Sequence, residues 1–412
     1  MPERVDLKSS DADLDVLHGL PRDVVYCRSC VMSNQRPATT PEFSKKATSD
    51  VEYASFGDDG ICDACKFYEH KKTIDWDDRK RQLEELCDRF RSKDGSWDVL
   101  VPGSGGKDSI FVSHILKYEY GMNPLTVTWA PHAYTEVGTH NMQAWQKSGF
   151  DNILVTPDPN VHSKVTQLAF KNLLNPFQPF IIGQKMLAPK MALKFDIKFL
   201  MYGENQGERH NKFSDALIPT MDPSHFTRTD DDAIIYLGGV DRQTLAEKHG
   251  LSMNDTHVYL PALREEVDQA GLEVHHMTTY VPWATQRNFY FAKEHTDFQT
   301  NPYGRSEGTF SKYASLDDKL DGFHYFTMFI KFGQARAVDD ACRDIRDGYL
   351  SRKEGVALVR KFDGEFPARH FEFFLDYIDI TKDEFWEVID RNRSPHLWEN
   401  NDNEWALRHP CL

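Results

Sequence analysis

Residues 97–113, WDVLVPGSGGKDSIFVS, decide the fold. The apolar run at 99–101 predicts a short buried strand, and Pro102 with the glycines that follow predicts a break after it. The apolar-periodic segment from Ile110 onward predicts a helix, with Asp108 and Ser109 in or near its first turn. A strand, a glycine turn and a helix N-terminus form a geometry that holds phosphate, because glycine lets the backbone approach and free N–H groups attract the anion.

The side chains of this turn also suit phosphate chemistry. Lys107 adds a positive charge, Ser104 and Ser109 offer hydroxyls, and Asp108 is suited to a position near Mg²⁺. The order SGGKDS differs from the Walker pattern G-x-x-x-x-G-K-[ST] and resembles the SGGxDS loop of the N-type ATP pyrophosphatases, the PP-loop superfamily. That resemblance implies that ATP is split into AMP and pyrophosphate with adenylation of a substrate, and that the loop binds ATP through Ser104, Gly105, Gly106, Lys107, Asp108 and Ser109. The alternative is a glycine turn without a ligand.

Composition limits the possible partners. The chain has 412 residues, 49 basic against 64 acidic, and a net charge of −15. Such a balance argues against a broad surface for nucleic acid or anionic membranes. We expect no membrane span, because the chain has no apolar run of the about 18 residues that a transmembrane helix needs. The polar, acidic N-terminus does not resemble a signal peptide, so the expected location is cytoplasmic.

Two C-x-x-C pairs predict a metal site. Cys27 with Cys30 and Cys62 with Cys65 could form two knuckles whose four thiolates face one tetrahedral zinc ion, which would then be structural. The segment between the pairs is long and rich in turn formers, so a metal would stabilise what a small core could not. Four unconnected buried thiols are one alternative. A redox pair is another, although neither pair is expected to open a helix after a strand.

Strands and helices alternate after the loop. Strands are predicted at 124–129, 152–156 and 198–202, and helices at 135–148, 161–174 and 184–195. This order predicts an α/β fold with a doubly wound, mostly parallel sheet, in which ligands bind at the carboxyl ends of the strands. Two further segments would therefore join the loop at that edge. Residues 129–132, with Trp129, would lie near adenine and ribose, and Gly203-Glu204-Asn205 would place a carboxylate and an amide near magnesium or substrate.

The rest of the chain changes in character. Residues 204–233 predict a long loop over the site, and 272–280 predict one more strand. Helical patterns then dominate at 315–330, 336–348, 351–362 and 381–391. A polar loop at 303–312 could grip a charged substrate through Arg305, Glu307 and Lys312. We therefore divide the chain into an N-terminal four-cysteine zinc-binding segment (1–74), a PP-loop domain (75–283) and an α-helical C-terminal region (284–412).

The ordered set of motifs resembles one family. Paired C-x-x-C knuckles, SGGKDS, GEN, YVPW and EGTFSKYASLDDKLDGFHY together are similar to the N-acetyl sugar amidotransferases of bacterial surface-polysaccharide and lipopolysaccharide (LPS) biosynthesis. That resemblance implies conversion of an acetamido group on a nucleotide-linked sugar into an acetamidino group. The carbonyl oxygen would attack the α-phosphate of ATP to give an O-adenylyl imidate and pyrophosphate, and ammonia would then displace AMP. Lys107, Asp108 and Glu204 would serve this chemistry with Mg²⁺.

Ammonia needs a source. Residue 2 is not cysteine, and Cys87, Cys342 and Cys411 lack the glycine-flanked setting of a triad-type glutaminase nucleophile. We therefore expect a partner glutaminase, similar to the glutaminase and cyclase pair of imidazole glycerol phosphate synthase. Two other interpretations remain: a tRNA-thiolating PP-loop enzyme, which would need basic surface and additional reactive cysteines, and a non-catalytic nucleotide-binding scaffold.

Overall fold

The computed structural model describes residues 13–46, 52–205, 207–402 and 404–411. Helix α1 (Asp63–Lys71) follows the N-terminal segment, and α2 (Trp76–Phe90) is the charged helix before the loop. Asp75 caps α2, because its side chain accepts hydrogen bonds from the backbone N–H groups of Asp77 and Asp78. The second cysteine pair opens α1, with Cys62 as the residue before it. Among the described residues no strand precedes α1, so this pair does not open a helix after a strand.

The central sheet has five parallel strands in the order β3-β2-β1-β4-β9. The elements up to its fourth strand are β1 (Val99–Pro102), α3 (Lys107–His114), β2 (Pro124–Trp129), α4 (Glu136–Lys147), β3 (Asp151–Val155), α5 (Pro159–Leu173), α6 (Gln178–Lys194) and β4 (Phe199–Tyr202). The predicted doubly wound α/β sheet is thus confirmed. The chain leaves β1 first toward β2 and later returns to its other side as β4, so the edge beyond β1 is the switch point where such sheets bind ligands.

Short elements fill the segment between the fourth and fifth strands of the sheet. They are α7 (Gly207–His210), α8 (Phe213–Ala216), β5 (Thr227–Arg228), β6 (Tyr236–Leu237), β7 (Val240–Asp241), α9 (Arg242–His249), β8 (Ala262–Leu263) and α10 (Arg264–Ala270). The fifth strand of the sheet is β9 (Glu273–His276). The predicted long loop at 204–233 therefore contains short helices and a strand.

The C-terminal region is mostly helical, as predicted. It contains α11 (Thr285–His295), α12 (Asp321–Phe332), α13 (Arg336–Arg346), α14 (Arg352–Phe362), α15 (Phe371–Ile378) and α16 (Lys382–Arg391), and then the hairpin β10 (Trp398–Asn401) with β11 (Glu404–Leu407). None of the helices in the described ranges is long and apolar enough to cross a membrane.

Apolar side chains cover both faces of the sheet. Leu100 and Leu200 belong to one core, whereas Val99, Val101 and Phe199 belong to another. Successive residues of a strand point to opposite faces, so a continuous apolar run supplies both cores at once.

The N-terminal knuckles pack against the C-terminal helices. Cys27, Cys30, Cys62 and Cys65 share a small buried core with Val338 and Cys342 of α13 and with Val359 of α14. Buried Gln334, just before α13, exchanges hydrogen bonds with Ser33 on this side of the molecule. Two segments that lie far apart in sequence therefore form one packed unit.

Candidate functional site

The SGGKDS turn lies at the carboxyl end of β1, and a close contact requires the first of its two glycines. Gly105 has φ +80°, and a Cβ added there would lie 2.6 Å from the Cα of Met142 in α4. Gly106 precedes α3 and offers no side-chain cap, so the first N–H groups of the helix remain available to an anion. The backbone therefore forms a phosphate cradle that a side chain at Gly105 would displace.

Lys107 and Asp108 form an ion pair at the start of α3. Lys107 Nζ lies 2.6 Å from Asp108 Oδ2, and the side chain of Asn288 in α11 donates to Asp108 Oδ1 at 3.0 Å. Burial lowers the pKa of Lys107. Burial alone would raise the pKa of Asp108, but the charge of Lys107 and these hydrogen bonds hold it below its usual value. Both side chains therefore lie beside the phosphate cradle, and a bound phosphate would compete with Asp108 for Lys107.

The turn opens into a cavity of about 280 Å³. Eight of the residues predicted for ATP or catalysis line it: Ser104, Gly105, Gly106, Lys107, Asp108, Ser109, Gly203 and Glu204. Other lining residues were not predicted, among them Asn141, Gln184, Tyr313, Asp317 and Arg336. The cavity is thus lined both by residues at the carboxyl ends of the sheet strands and by residues after position 300.

Glu204 lies at the carboxyl end of β4, across from the turn. It accepts a hydrogen bond from Trp283 Nε1 at 3.3 Å and pairs with Arg209. Burial lowers the pKa of Arg209 to about 9. The Glu204 side chain is 15% exposed, and its two oxygens contact the indole and the guanidinium, so the carboxylate is held in one orientation at the cavity wall.

Trp129 and Asn205 do not line this cavity. Trp129 is 3% exposed, and its ring packs on Gly183 of α6, where a Cβ would lie 2.2 Å from the indole. Its neighbour His132 is buried and bonded to Asp318. Asn205 is also buried, and its backbone N–H donates to Thr278 Oγ1 at 3.2 Å.

Arg305, Glu307 and Lys312 likewise lie outside the cavity lining. Arg305 makes a two-pronged ion pair with Glu365, at 2.6 and 2.8 Å. Glu307 accepts from the backbone N–H of Arg369 at 3.3 Å, and Lys312 lies over the ring of Phe289. The loop at 303–312 therefore contacts other parts of the C-terminal region instead of the cavity.

Asp317 and Arg336 are the charged lining residues that sequence reasoning missed. Burial raises the pKa of Asp317, and the nearby hydroxyl of Ser104 in the turn opposes this rise. Its segment follows Tyr313, whose ring lies 5.5 Å from Lys107 Nζ. The motif SLDDKLDGFHY contains Asp317, but three aspartates within five residues resemble a solvated loop, and nothing local marks which one turns inward.

The four cysteines form a compact buried cluster. Their Sγ atoms all lie within 4.8 Å of one another, with Cys27–Cys65 at 3.9 Å and Cys30–Cys62 at 3.8 Å. Four sulphurs at about 2.3 Å from one tetrahedral ion would be separated by about 3.8 Å. A four-iron cluster binds each thiolate to a different iron and spreads the sulphurs further apart. The donor set therefore fits a single metal ion.

The parallel sheet and the cavity at its switch point agree with the fold that the resemblance of the loop sequence to the PP-loop implies. Residues 307–409 match the family model described as "LPS biosynthesis protein WbpG-like, C-terminal domain". The resemblance to LPS biosynthesis proteins is thus confirmed for this C-terminal region. Among curated proteins, none matches this sequence.

One solved structure that the chain matches is the U34-tRNA thiolase NcsA from Methanococcus maripaludis with its [4Fe-4S] cluster. The identity is 10%, the TM-score is 0.30, and the match covers 82% of this chain and 89% of that one. A likeness this slight says nothing about the activity of this chain.

Proposed function

We propose that the protein is an ATP-dependent, AMP-forming amidotransferase of LPS or related polysaccharide biosynthesis. It would convert an acetamido group of a nucleotide-linked sugar into an acetamidino group. One observation carries the proposal: the SGGKDS turn and the WbpG-like region line the same cavity, through Lys107 on one side and Asp317 and Arg336 on the other.

The first step makes an unreactive amide reactive. The carbonyl oxygen of the acetamido group attacks the α-phosphorus of ATP, the bond to the β-phosphate breaks, and pyrophosphate leaves. Lys107 and the N–H groups at the start of α3 stabilise the charge on this leaving group. Ser104 and Ser109 position the phosphate chain through their hydroxyls.

The second step exchanges oxygen for nitrogen. Ammonia adds to the imidate carbon, the bond to the adenylyl oxygen breaks, AMP leaves, and loss of a proton gives the amidine. The side chains of Asp108, Glu204 and Asp317 reach the cavity from three elements and would hold Mg²⁺. Mg²⁺ bound there would neutralise part of the phosphate charge.

We infer that the four-cysteine site holds structural Zn²⁺. Its four thiolates leave no open position for a substrate, and its Sγ separations fit one tetrahedral ion.

We propose that a partner glutaminase supplies the ammonia. Cys87 is buried, and burial raises the pKa of its thiol to about 12, so it is protonated and a poor nucleophile near neutral pH. Cys342 and Cys411 are buried in the core beside the knuckles. A chain with these cysteines should use ammonium in place of glutamine when its partner is missing.

The activity is tested with purified protein, ATP, Mg²⁺, ammonium and a panel of UDP- and CMP-linked acetamido sugars. We expect AMP, pyrophosphate and a sugar nucleotide whose mass shows one oxygen replaced by NH. Lys107→Met should abolish all three products, because it removes the cation beside the leaving group. Formation of ADP, or an unchanged sugar beside AMP, would contradict the mechanism.

The partner is tested in the same assay. Glutamine should support turnover only when a glutaminase is added, whereas ammonium should support it alone. Equal turnover with glutamine alone would overturn the partner proposal. Nucleic acid that co-purifies and is modified would instead indicate a tRNA-modifying enzyme.

A further inference from the structure

We propose that Arg336, the first residue of α13, binds the pyrophosphate end of ATP opposite Lys107. This inference rests on the proposed function, because it takes ATP as the ligand of the cavity. It assigns a binding role to a residue of the WbpG-like region and thereby explains why that region closes over the PP-loop.

Charge at the cavity is the first argument. Among the described residues that line it, Asp108, Glu204 and Asp317 are acidic, and Lys107 and Arg336 are the basic ones. Lys107 is already paired with Asp108 at 2.6 Å. Arg209 compensates Glu204 from outside the lining, so a phosphate chain needs a second cation within the lining besides Lys107 and Mg²⁺. Arg336 is the lining residue that supplies this second cation.

The way Arg336 is held is the second argument. Its Nε donates to Asp340 Oδ2 at 3.1 Å, and its Nη1 donates to the hydroxyl of Tyr325 in α12 at 2.7 Å. Among the described residues, none accepts a hydrogen bond from Nη2 of Arg336, and this nitrogen is not fully enclosed by protein atoms. Two nitrogens therefore fix the guanidinium, while the third is left to a ligand at the cavity wall.

The helix that carries Arg336 is also anchored. The carboxylate of Asp363 accepts from the backbone N–H groups of Ala335 at 2.8 Å and Ala337 at 2.9 Å. Asp340 accepts a further hydrogen bond from Thr309 Oγ1 at 2.6 Å. A guanidinium with so many fixed neighbours loses little freedom on binding an anion, which is the arrangement that favours phosphate binding.

The size of the cavity agrees with this assignment. At about 280 Å³ it lies at the lower limit of the roughly 300–1,000 Å³ of pockets that enclose a whole drug-sized ligand. A phosphate chain fits such a space better than a complete nucleotide does. We therefore place the pyrophosphate end, rather than adenine, between Lys107 and Arg336.

Calorimetric titration with Mg-pyrophosphate tests the assignment in the full chain. Arg336→Met should weaken binding by about tenfold to a hundredfold, the range for one charge-assisted hydrogen bond. AMP affinity and metal content of the four-cysteine site should stay at wild-type values. Arg393→Met is the matched control: Arg393 is another largely buried, ion-paired arginine of the C-terminal region, outside the cavity. It should bind pyrophosphate as the wild type does.

Two milder variants keep the test decisive if Arg336→Met fails to fold. Arg336→Lys keeps the charge but loses the fork, and Tyr325→Phe keeps the guanidinium but removes the acceptor of its Nη1. Each should weaken pyrophosphate binding by about three- to tenfold. Wild-type affinity in all variants that fold would overturn the role of Arg336. If the wild type itself binds no pyrophosphate and Lys107→Met changes nothing, the proposed function fails instead.

Discussion

Arg346 donates its Nε–H to the sulphur of Cys65 at 3.4 Å, and its Nη2 lies 3.8 Å from the sulphurs of Cys30 and Cys62. One guanidinium thus contacts three of the four cysteines of the knuckles. Four thiolates around a divalent ion carry a net charge of minus two, and burial makes that charge costly without a counter-charge. Arg346, at the end of α13, provides the counter-charge, while Arg336 at the start of the same helix lines the cavity.

Removal of Arg346 should weaken metal binding. Arg346→Met leaves the thiolate charge without its cation, so we expect about a 10- to 100-fold lower metal affinity, the usual effect of losing a partner of the ligands. Competition with a coloured chelator measures the affinity. Arg360→Met is the control, since Arg360 donates to the carbonyl of Cys411 in the same region and contacts no knuckle sulphur. Equal affinity in Arg346→Met and wild type would contradict the counter-charge role.

Gly105→Ala should be more destabilising than Gly95→Ala. Both glycines have positive φ, +80° and +85°, but an added Cβ meets the Met142 backbone at 2.6 Å in the first and nothing within 4 Å in the second. We expect about 1 kcal/mol for Gly95→Ala and about 2–5 kcal/mol for Gly105→Ala in the free energy of unfolding. Chemical denaturation measures both. Equal losses would mean that the turn relaxes away from α4.

Stability should fall as pH rises toward neutrality because of Asp321. Burial raises its pKa to about 7, so between about pH 4 and pH 7 the folded state binds a proton that the unfolded state has released. The folded state therefore loses stability over that range, by at most about 4 kcal/mol for a shift of this size. Asp321→Asn should flatten this part of the pH profile and raise the melting temperature at pH 8. An unchanged profile would show that Asp321 is ionised in the fold throughout.

The ion pair between Arg36 and Asp339 should support the contact between the knuckles and α13. Its atoms lie 2.8 Å apart, and both side chains are 10% exposed. Arg36→Met leaves a buried carboxylate without this cation, for an expected loss of about 3–5 kcal/mol in the free energy of unfolding. Lys72→Met, which breaks the exposed pair with Glu69, should cause no measurable loss. A small effect of Arg36→Met would indicate that water reaches Asp339.

The sequence predicted the sheet because local patterns encode it. Four apolar runs predicted β1 to β4, and the glycines that precede a helical pattern predicted the turn. The half of the cavity around Lys107 could therefore be predicted. Helix α11 and the hairpin from Trp398 to Leu407 were missed. The hairpin strands, WENN and EWAL, are largely exposed and do not alternate between apolar and polar residues.

The other half of the cavity depends on long-range packing. Asp317 reaches the turn because its backbone lies against Gly138, where an added Cβ would be 2.5 Å from Asp317 Cα. Helix α12 begins at Asp321 rather than near 315, and Ser315, with φ +54°, lies in the irregular segment before it. The sequence predicts Arg336 only as the first residue of a helix at 336–348. No local pattern indicates that Arg336 lines the same cavity as a loop more than 200 residues earlier in the chain.

The long sequence separation between the cysteine knuckles and the C-terminal helices that pack against them has a consequence during protein synthesis. Cys65 and Arg346 are separated by 281 positions. At about 5–20 residues per second, a ribosome needs roughly 15–60 s to make that stretch. For that time the nascent thiols have neither the arginine nor the helices that later shield them. Oxidants or a shortage of metal should therefore damage chains still under translation far more than finished ones, and the yield of folded protein should depend on the conditions while it is being made.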